Sequence, residues 1–186
     1  MVIYYIILFF SGVIIAVASL VLVFLLATLV VLVWTRVPSV NTPQKYYEVI
    51  FKELEMGPRM VVMDLGCGDG GFLLEAAKYN TKKCIGYEIS PWSYLKAVAG
   101  SFFYGRGKVY IRMSDFLKMD LAEADVVYIF LVGSILGEVS KKLKKELKKG
   151  AQVVCLGFPL PGWEPRKTVD LRERNLGESK IYFYRV

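Results

Sequence analysis

Apolar residues run almost unbroken from Met1 to Trp34. Beyond Thr35 the pattern breaks into short apolar runs separated by charged and glycine-containing stretches. Roughly 20 apolar residues rising ~1.5 Å each cross the ~30 Å hydrocarbon layer, so the first stretch predicts one membrane-spanning helix with length to spare. A secretory signal competes with this reading, because Ala16-Val17-Ala18 looks like a small-residue cleavage site. There is no basic n-region, however, and Val21 to Val33 would remain apolar after cleavage. A buried hairpin fits less well, because a domain of this size has no core able to bury so many uncharged positions. The expected organisation is a transmembrane anchor over residues 1–35 and one domain over 36–186.

In the domain, Thr42 and Pro43 predict an N-cap and an N1 proline for a helix running to about Glu55. Met60 to Leu65 reads as a buried strand, Gly66 to Gly71 as a turn, Phe72 to Tyr79 as a helix and Cys84 to Ile89 as a second strand. The alternation continues with a helix from Pro91 to Phe103 and strands from Lys108 to Met113 and Asp125 to Leu131. A helix from Ser134 to Lys149 and a strand from Gln152 to Gly157 follow. Thr168 to Arg172 and Lys180 to Val186 predict a terminal hairpin turning around Asn175 to Gly177. Strands alternating with helices imply an α/β fold: a mostly parallel, Rossmann-like sheet covered on both faces and ending in an antiparallel hairpin.

Charge sharpens the division. No Asp, Glu, Lys or Arg occurs from Met1 to Thr35, so all 24 basic and 17 acidic residues, and the net +7, belong to the rest of the chain. Tyr4 and Tyr5 at one end and Trp34 at the other suit two membrane interfaces, and Arg36, Lys45 and Lys52 follow the span. The positive-inside bias therefore predicts a single-pass membrane protein with its domain in the cytoplasm. Histidine is absent, which excludes Ser-His-Asp and Cys-His nucleophiles and imidazole proton shuttles and removes most zinc or iron sites. Cys67, Cys84 and Cys155 stand singly, so neither a disulfide framework nor a metal site is expected.

The candidate chemistry sits where the first strand passes into its helix, at Asp64-Leu65-Gly66-Cys67-Gly68-Asp69-Gly70-Gly71. Gly66, Gly68 and Gly71 satisfy the dinucleotide GxGxxG spacing; Asp64 with Gly66, Gly68 and Gly70 satisfies the acidic-first pattern of S-adenosylmethionine enzymes. Asp64 and Asp69 beside the turn would repel a dianionic pyrophosphate and attract a sulfonium and an ammonium group, which favours S-adenosylmethionine. Glu88, ending the second strand, can accept both ribose hydroxyls of either cofactor. Asp115 could accept the adenine amino group while Phe116 or Ile89 flanks the ring, although a turn or cap aspartate is an equal reading of Asp115.

Asp64 to Gly70 resembles motif I of class I, seven-β-strand methyltransferases. Three more stretches narrow the likeness: Ser90-Pro91-Trp92, Asp115-Phe116-Leu117-Lys118-Met119-Asp120-Leu121, and Phe158-Pro159-Leu160-Pro161-Gly162-Trp163-Glu164-Pro165. With the proline-containing Val37 to Pro43, they resemble the membrane-anchored lysine methyltransferases whose eukaryotic members modify the ATP synthase c-subunit and the adenine nucleotide translocase. The resemblance covers about four fifths of the chain and implies cofactor binding at Asp64, Gly66, Cys67, Gly68, Gly70, Glu88, Ile89, Asp115 and Phe116, with no metal. Ser90 stands where that family usually has Asn, and Val132-Gly133 replaces a proline-containing turn, both on the acceptor side.

The expected activity is therefore S-adenosylmethionine-dependent methyl transfer, to a lysine of a protein in or beside the same membrane. A lipid or quinone acceptor, or a non-catalytic nucleoside-binding module, is the alternative. Methyl transfer is an in-line displacement at an activated carbon, so positioning and desolvation can supply most of the rate and a missing His is no obstacle. No catalytic residue is identified; Phe130, Leu131, Tyr46 and Trp163 are candidate pocket walls, and an ordinary core role is at least an equal reading of each. The lysines between Lys141 and Lys149 read as a solvated helix face or as a contact with anionic lipid. No aromatic-and-basic stripe or recognised module accompanies them, so no nucleic-acid partner is expected.

Overall fold

The computed structural model describes residues 1–35, 41–174, 176–177 and 179–186, with backbone alone for 31–35. Residues 1–36 and 37–186 form two compact units. The first is α1 (Val2–Thr35), an uninterrupted helix. Its stretch Val2–Val30 has the length and composition of a membrane span and is not buried against protein. The Ser11 hydroxyl donates to the Leu8 carbonyl and the Thr28 hydroxyl to that of Phe24, so both polar side chains are satisfied within the helix, as an apolar solvent requires. The Trp34 side chain and the Arg36 to Val40 connector lie outside the described residues, so the expected interface tryptophan is not located.

In the second unit, β1 (Val61–Leu65), β2 (Lys83–Glu88), β3 (Val109–Met113), β4 (Val126–Ile129), β5 (Gln152–Leu156), β6 (Lys167–Asp170) and β7 (Lys180–Arg185) form one sheet. Its order is β3-β2-β1-β4-β5-β7-β6, with β7 antiparallel to β5 and to β6. The connecting helices are α2 (Tyr47–Glu53), α3 (Gly71–Ala76), α4 (Pro91–Tyr104) and α5 (Leu136–Glu146). Side chains alternate across the strands, so that Val62, Val126 and Tyr128 pack with α2, α3 and Ala97 of α4, whereas Val61, Met63, Leu65 and Val127 pack with α5. Two apolar cores therefore lie on opposite faces, as both-face coverage of a parallel sheet demands. The strand order reverses direction between β1 and β4, and open α/β sheets bind ligands at such a switch point, beyond the carboxyl ends of the strands.

The elements fall where the hydrophobic pattern puts them, with shifted ends. The expected cap at Thr42 does not form: a 3-10 turn over Gln44–Tyr46 precedes α2, no side chain caps it, and the Thr42 hydroxyl turns to Tyr128 instead. The lysine-rich helix stops at Glu146, because Leu147 is extended. A 3-10 turn over Arg172–Arg174 separates β6 from β7, and Asn175, within the expected hairpin turn, lies outside the described residues.

Candidate cofactor site

Asp64 lies on β1 on the side covered by α2 and α3 and is buried, 3% exposed. The chain then bends through Gly66, Gly68 and Gly70 with φ of +83°, +56° and +81°, a left-handed run that side chains resist. The bend is held from within. The Gly66 and Cys67 amides donate to the Tyr87 carbonyl at 3.0 and 2.9 Å, and the Gly70 amide to the Cys67 carbonyl at 2.8 Å. The Gly68 amide donates to Glu88 Oε2 at 2.9 Å, and the Gly71 amide to Asp69 Oδ1 at 3.1 Å. Glu88, buried at the end of β2, also accepts the Ser90 amide through Oε1 at 2.7 Å, so one carboxylate ties the bend to the next loop.

A segment that sequence reasoning did not connect to this bend covers it. Asn41 Nδ2 donates to Asp69 Oδ2 at 2.7 Å, and the Thr42 and Tyr128 hydroxyls share a hydrogen bond of 2.6 Å. The Tyr47 hydroxyl stands so near Gly71 that a Cβ there would meet it at 2.6 Å. A narrow crevice results, lined by Asn41, Thr42, Tyr47, Asp64, Cys67 and Phe130 among others. No spacing in the sequence could have brought Thr42 to Tyr128.

Burial governs the electrostatics here. The Asp64 carboxyl is pushed well above the usual carboxylate range, first by desolvation and then by the charges of Glu88 and Asp69. Glu88 is also raised by burial, against the lowering effect of the amides it accepts. Burial keeps the Cys67 thiol and the Tyr47 and Tyr128 phenols protonated. The site is a pocket of crowded, desolvated carboxylates, which a cation would relieve.

The other expected residues fall unevenly. Asp115 follows β3 and caps the 3-10 turn Phe116–Lys118, its Oδ1 accepting the Leu117 amide at 3.0 Å; the bland reading of this aspartate describes one of its oxygens. Ile89 is half-buried after Glu88, and Phe116 packs toward the α5-side core. Of the candidate walls, Phe130 lines the crevice. Tyr46 and Leu131 are buried in opposite cores, and Trp163 packs edge-on against Tyr184 with its indole N–H donating to Ser140 Oγ. Ser114, which sequence reasoning passed over, holds the one buried side-chain oxygen among the described residues without a hydrogen-bond partner, and its amide donates to the Glu88 carbonyl.

These features separate the two templates that the glycines satisfy. A diphosphate needs free backbone amides, yet those of Gly66, Cys67, Gly68, Gly70 and Gly71 already donate within the protein, beside buried carboxylates. A cationic nucleoside with ribose hydroxyls fits: Asp64 and Glu88 supply negative charge and acceptors, and the orphaned Ser114 hydroxyl stands one residue before Asp115. Among the described residues no cluster suits a metal ion. Sheet order and site together define a class I, S-adenosylmethionine-dependent methyltransferase.

Residues 64–167 match the family described as the ANTKMT methyltransferase domain, and the chain belongs to it. It is 35% identical over 151 residues to a protein-lysine N-methyltransferase of Saccharolobus islandicus, covering 80% of this chain and 93% of that protein. It is 34% identical over 154 residues to the adenine nucleotide translocase lysine N-methyltransferase of Mus musculus, covering 81% of this chain and 64% of the relative. For the ATP synthase c-subunit lysine N-methyltransferase of Mus musculus the identity is 36% over 138 residues, covering 70% of this chain and 53% of the relative. Among solved structures, an RNA methyltransferase from Salinibacter ruber in complex with S-adenosyl-L-homocysteine superposes with a TM-score of 0.72 at 28% identity, covering 79% of this chain and 94% of that one.

Proposed function

We propose that the chain methylates a lysine side chain of a protein in or beside a membrane that its own N-terminal helix spans. The observation that carries the acceptor class is the similarity, over 70% to 81% of this chain, to three proteins each named for lysine N-methylation. The anchor reading rests on the length and composition of α1, and its cytoplasmic orientation on the basic residues that follow the span. The anchor would raise the enzyme's local concentration near a membrane-borne target.

S-adenosylmethionine, when bound, supplies a methyl group on a positively charged sulfur, already activated for in-line displacement. In our reading Asp64 attracts the cofactor's cationic end, and Gly66, Cys67, Gly68 and Gly70 let the backbone approach it. Glu88 accepts the ribose hydroxyls with the lone pairs its two amide contacts leave. Asp115 accepts the adenine amino group through its second oxygen, and Ile89 and Phe116 flank the ring. Phe130 forms a wall of the reacting end. An acceptor ammonium, with a reference pKa of about 10.4, must lose a proton before attack, and burial beside aromatic walls favours the neutral amine.

The lysines between Lys141 and Lys149 read as a solvated face, because Lys142 pairs with Glu146, Lys144 donates to the Gly162 carbonyl and Lys148 pairs with Asp125. The test is incubation of membranes lacking the enzyme with the full chain and methyl-labelled cofactor, followed by mass spectrometry. Methylated lysine on a membrane protein is the expected result. Label that extracts into organic solvent, or that is carried by RNA with none on protein, would replace the acceptor assigned here.

A further inference from the structure

The surface of α4 is inverted for a helix packed on a sheet. Its inward side carries Ser93 and Ala97, both buried, and the half-buried Gly100 and Ser101, whereas Trp92, Leu95, Phe102 and Phe103 point outward. Small residues are needed inside because α4 sits close on its neighbours: a Cβ on Gly100 would meet Leu74 Cδ1 at 3.3 Å and the Asp69 carbonyl at 3.8 Å. The outward residues Leu95, Phe102 and Phe103 are instead left exposed. Trp92 is 52% exposed, Phe102 82% and Phe103 71%, and spacings of 3, 4 and 7 put them with Leu95 and Ala99 on one helical face. Contiguous exposed apolar surface of this kind marks an interaction site.

Its surroundings say which kind. From Pro91 to Met113 the chain has no Asp or Glu, while Lys96, Arg106, Lys108 and Arg112 are all basic. The Lys96 ammonium lies 5.0 Å from the Trp92 ring centroid. On the neighbouring edge strand β3, Met113, on the side that α4 covers, is half exposed. Aromatic and aliphatic side chains mixed with Lys and Arg, and free of acid, are the composition that settles into a headgroup layer containing anionic lipid.

The route of the chain points to the same partner. Residues 36–40 alone separate the end of the apolar helix from Asn41, where the chain enters the domain. Thr42 and Gln44, at that entry, line one groove with Phe103, Tyr104 and Arg106, at the end of α4. The acidic members of this groove are Asp69, engaged by Asn41, and Glu75, paired with Lys78. The lysine-rich α5 packs on the opposite face of the sheet, so both helices cannot lie flat on one bilayer.

We propose that the outward face of α4, with the adjoining edge of β3, is a second membrane contact that seats the domain on an anionic bilayer surface. This inference rests on the reading of α1 as a membrane anchor and adds to it the face that the domain turns toward the lipid. The face carried by α5 is thereby directed away.

Trp92 provides the test. The full chain, with Trp34→Phe so that Trp92 and Trp163 carry the tryptophan emission, is reconstituted into phosphatidylcholine–phosphatidylglycerol vesicles with and without brominated acyl chains. Bromolipid is expected to quench most of a component that disappears on Trp92→Phe and persists on Trp163→Phe. The double variant Leu95→Ser with Phe102→Ser should stay inserted and bind S-adenosylhomocysteine as before, yet show severalfold weaker quenching of Trp92. Alkaline carbonate washing separates the two readings. A chain that washes off overturns both. A chain that stays inserted while Trp92 is unquenched, or while Trp163 alone is quenched, overturns the α4 surface and leaves the anchor. A Trp92 emission that bromolipid leaves unquenched but that shifts when an acceptor protein is added assigns the surface to protein docking and likewise overturns it.

Discussion

The hydroxyls of Thr42 and Tyr128, 86 residues apart in sequence, share a hydrogen bond of 2.6 Å. It joins the segment entering the domain to the centre of β4, and the Tyr128 ring in turn stacks on Phe72 with centroids 4.0 Å apart. The covering of the candidate cofactor crevice is thus fastened to the most buried part of the sheet. Tyr128→Phe keeps the stack and removes the tie, so it should cost only about 1 kcal/mol of stability. S-adenosylhomocysteine should dissociate severalfold faster, because the segment over the crevice is held less firmly. Stopped-flow displacement measures this, and an unchanged off-rate would show that the cover does not retain the cofactor.

Asp64→Asn tests whether the buried carboxylate is kept for binding rather than for folding. The amide removes a charge that the fold desolvates beside Glu88, so thermal stability without ligand should stay level or rise. Affinity for S-adenosylmethionine should fall, by about 10-fold or more if one partly buried charge contact worth roughly 1.4 kcal/mol is lost. A melt combined with calorimetry reads both quantities, and unaltered affinity would mean that the cationic end binds elsewhere.

The pH dependence has a definite sign. Folding raises Asp64 and Glu88 above their unfolded values, so the ligand-free domain loses stability as pH rises from the unfolded carboxylate range, about 4, to their folded pKa values. A cationic ligand favours the ionised carboxylates, so its binding should release protons and tighten as pH rises through the same window. Calorimetry in buffers of differing ionisation enthalpy counts the protons. Affinity that is flat or that weakens with rising pH there would contradict the arrangement.

Glu88→Gln leaves a shape close to the original but only one acceptor oxygen, so either the Gly68 or the Ser90 amide loses its partner. The expected cost is about 1–3 kcal/mol together with loss of cofactor binding. Faster hydrogen exchange at Gly68 or Ser90 would accompany it; full protection at both would show the bend to be held by other means.

Ser114→Ala removes a buried hydroxyl that makes no hydrogen bond within the described protein. The ligand-free domain should gain a few tenths of a kcal/mol or stay level, whereas a ligand that uses the hydroxyl should bind more weakly by about 1 kcal/mol. Denaturant titrations with and without S-adenosylhomocysteine compare the two, and equal shifts in both states would remove Ser114 from the site.

Much of the fold was legible in sequence because each signal is local. Short apolar runs placed β1 to β5, and the acidic-first glycine bend marked the candidate site, since left-handed backbone and strand-to-helix passage are written in adjacent residues. The Asp115 reading was legible only in part, because capping a turn and accepting a ligand call for the same residue type. For Tyr46 and Trp163, where a wall and a core role were both open, the structure shows core packing, since an aromatic residue near a motif does not reveal which sheet face receives it.

The sequence by itself determined the charge-free helix, the order of strands and helices, and the run of glycines and carboxylates that names the cofactor, all consequences of composition and short-range periodicity. Only the tertiary structure decided that Thr42 binds Tyr128 rather than capping a helix, that the bend's own amides are already engaged, and that α4 turns its aromatic residues outward. Those facts depend on which distant side chains meet across the sheet, and contacts closed through long loops leave no mark in the spacing of neighbours.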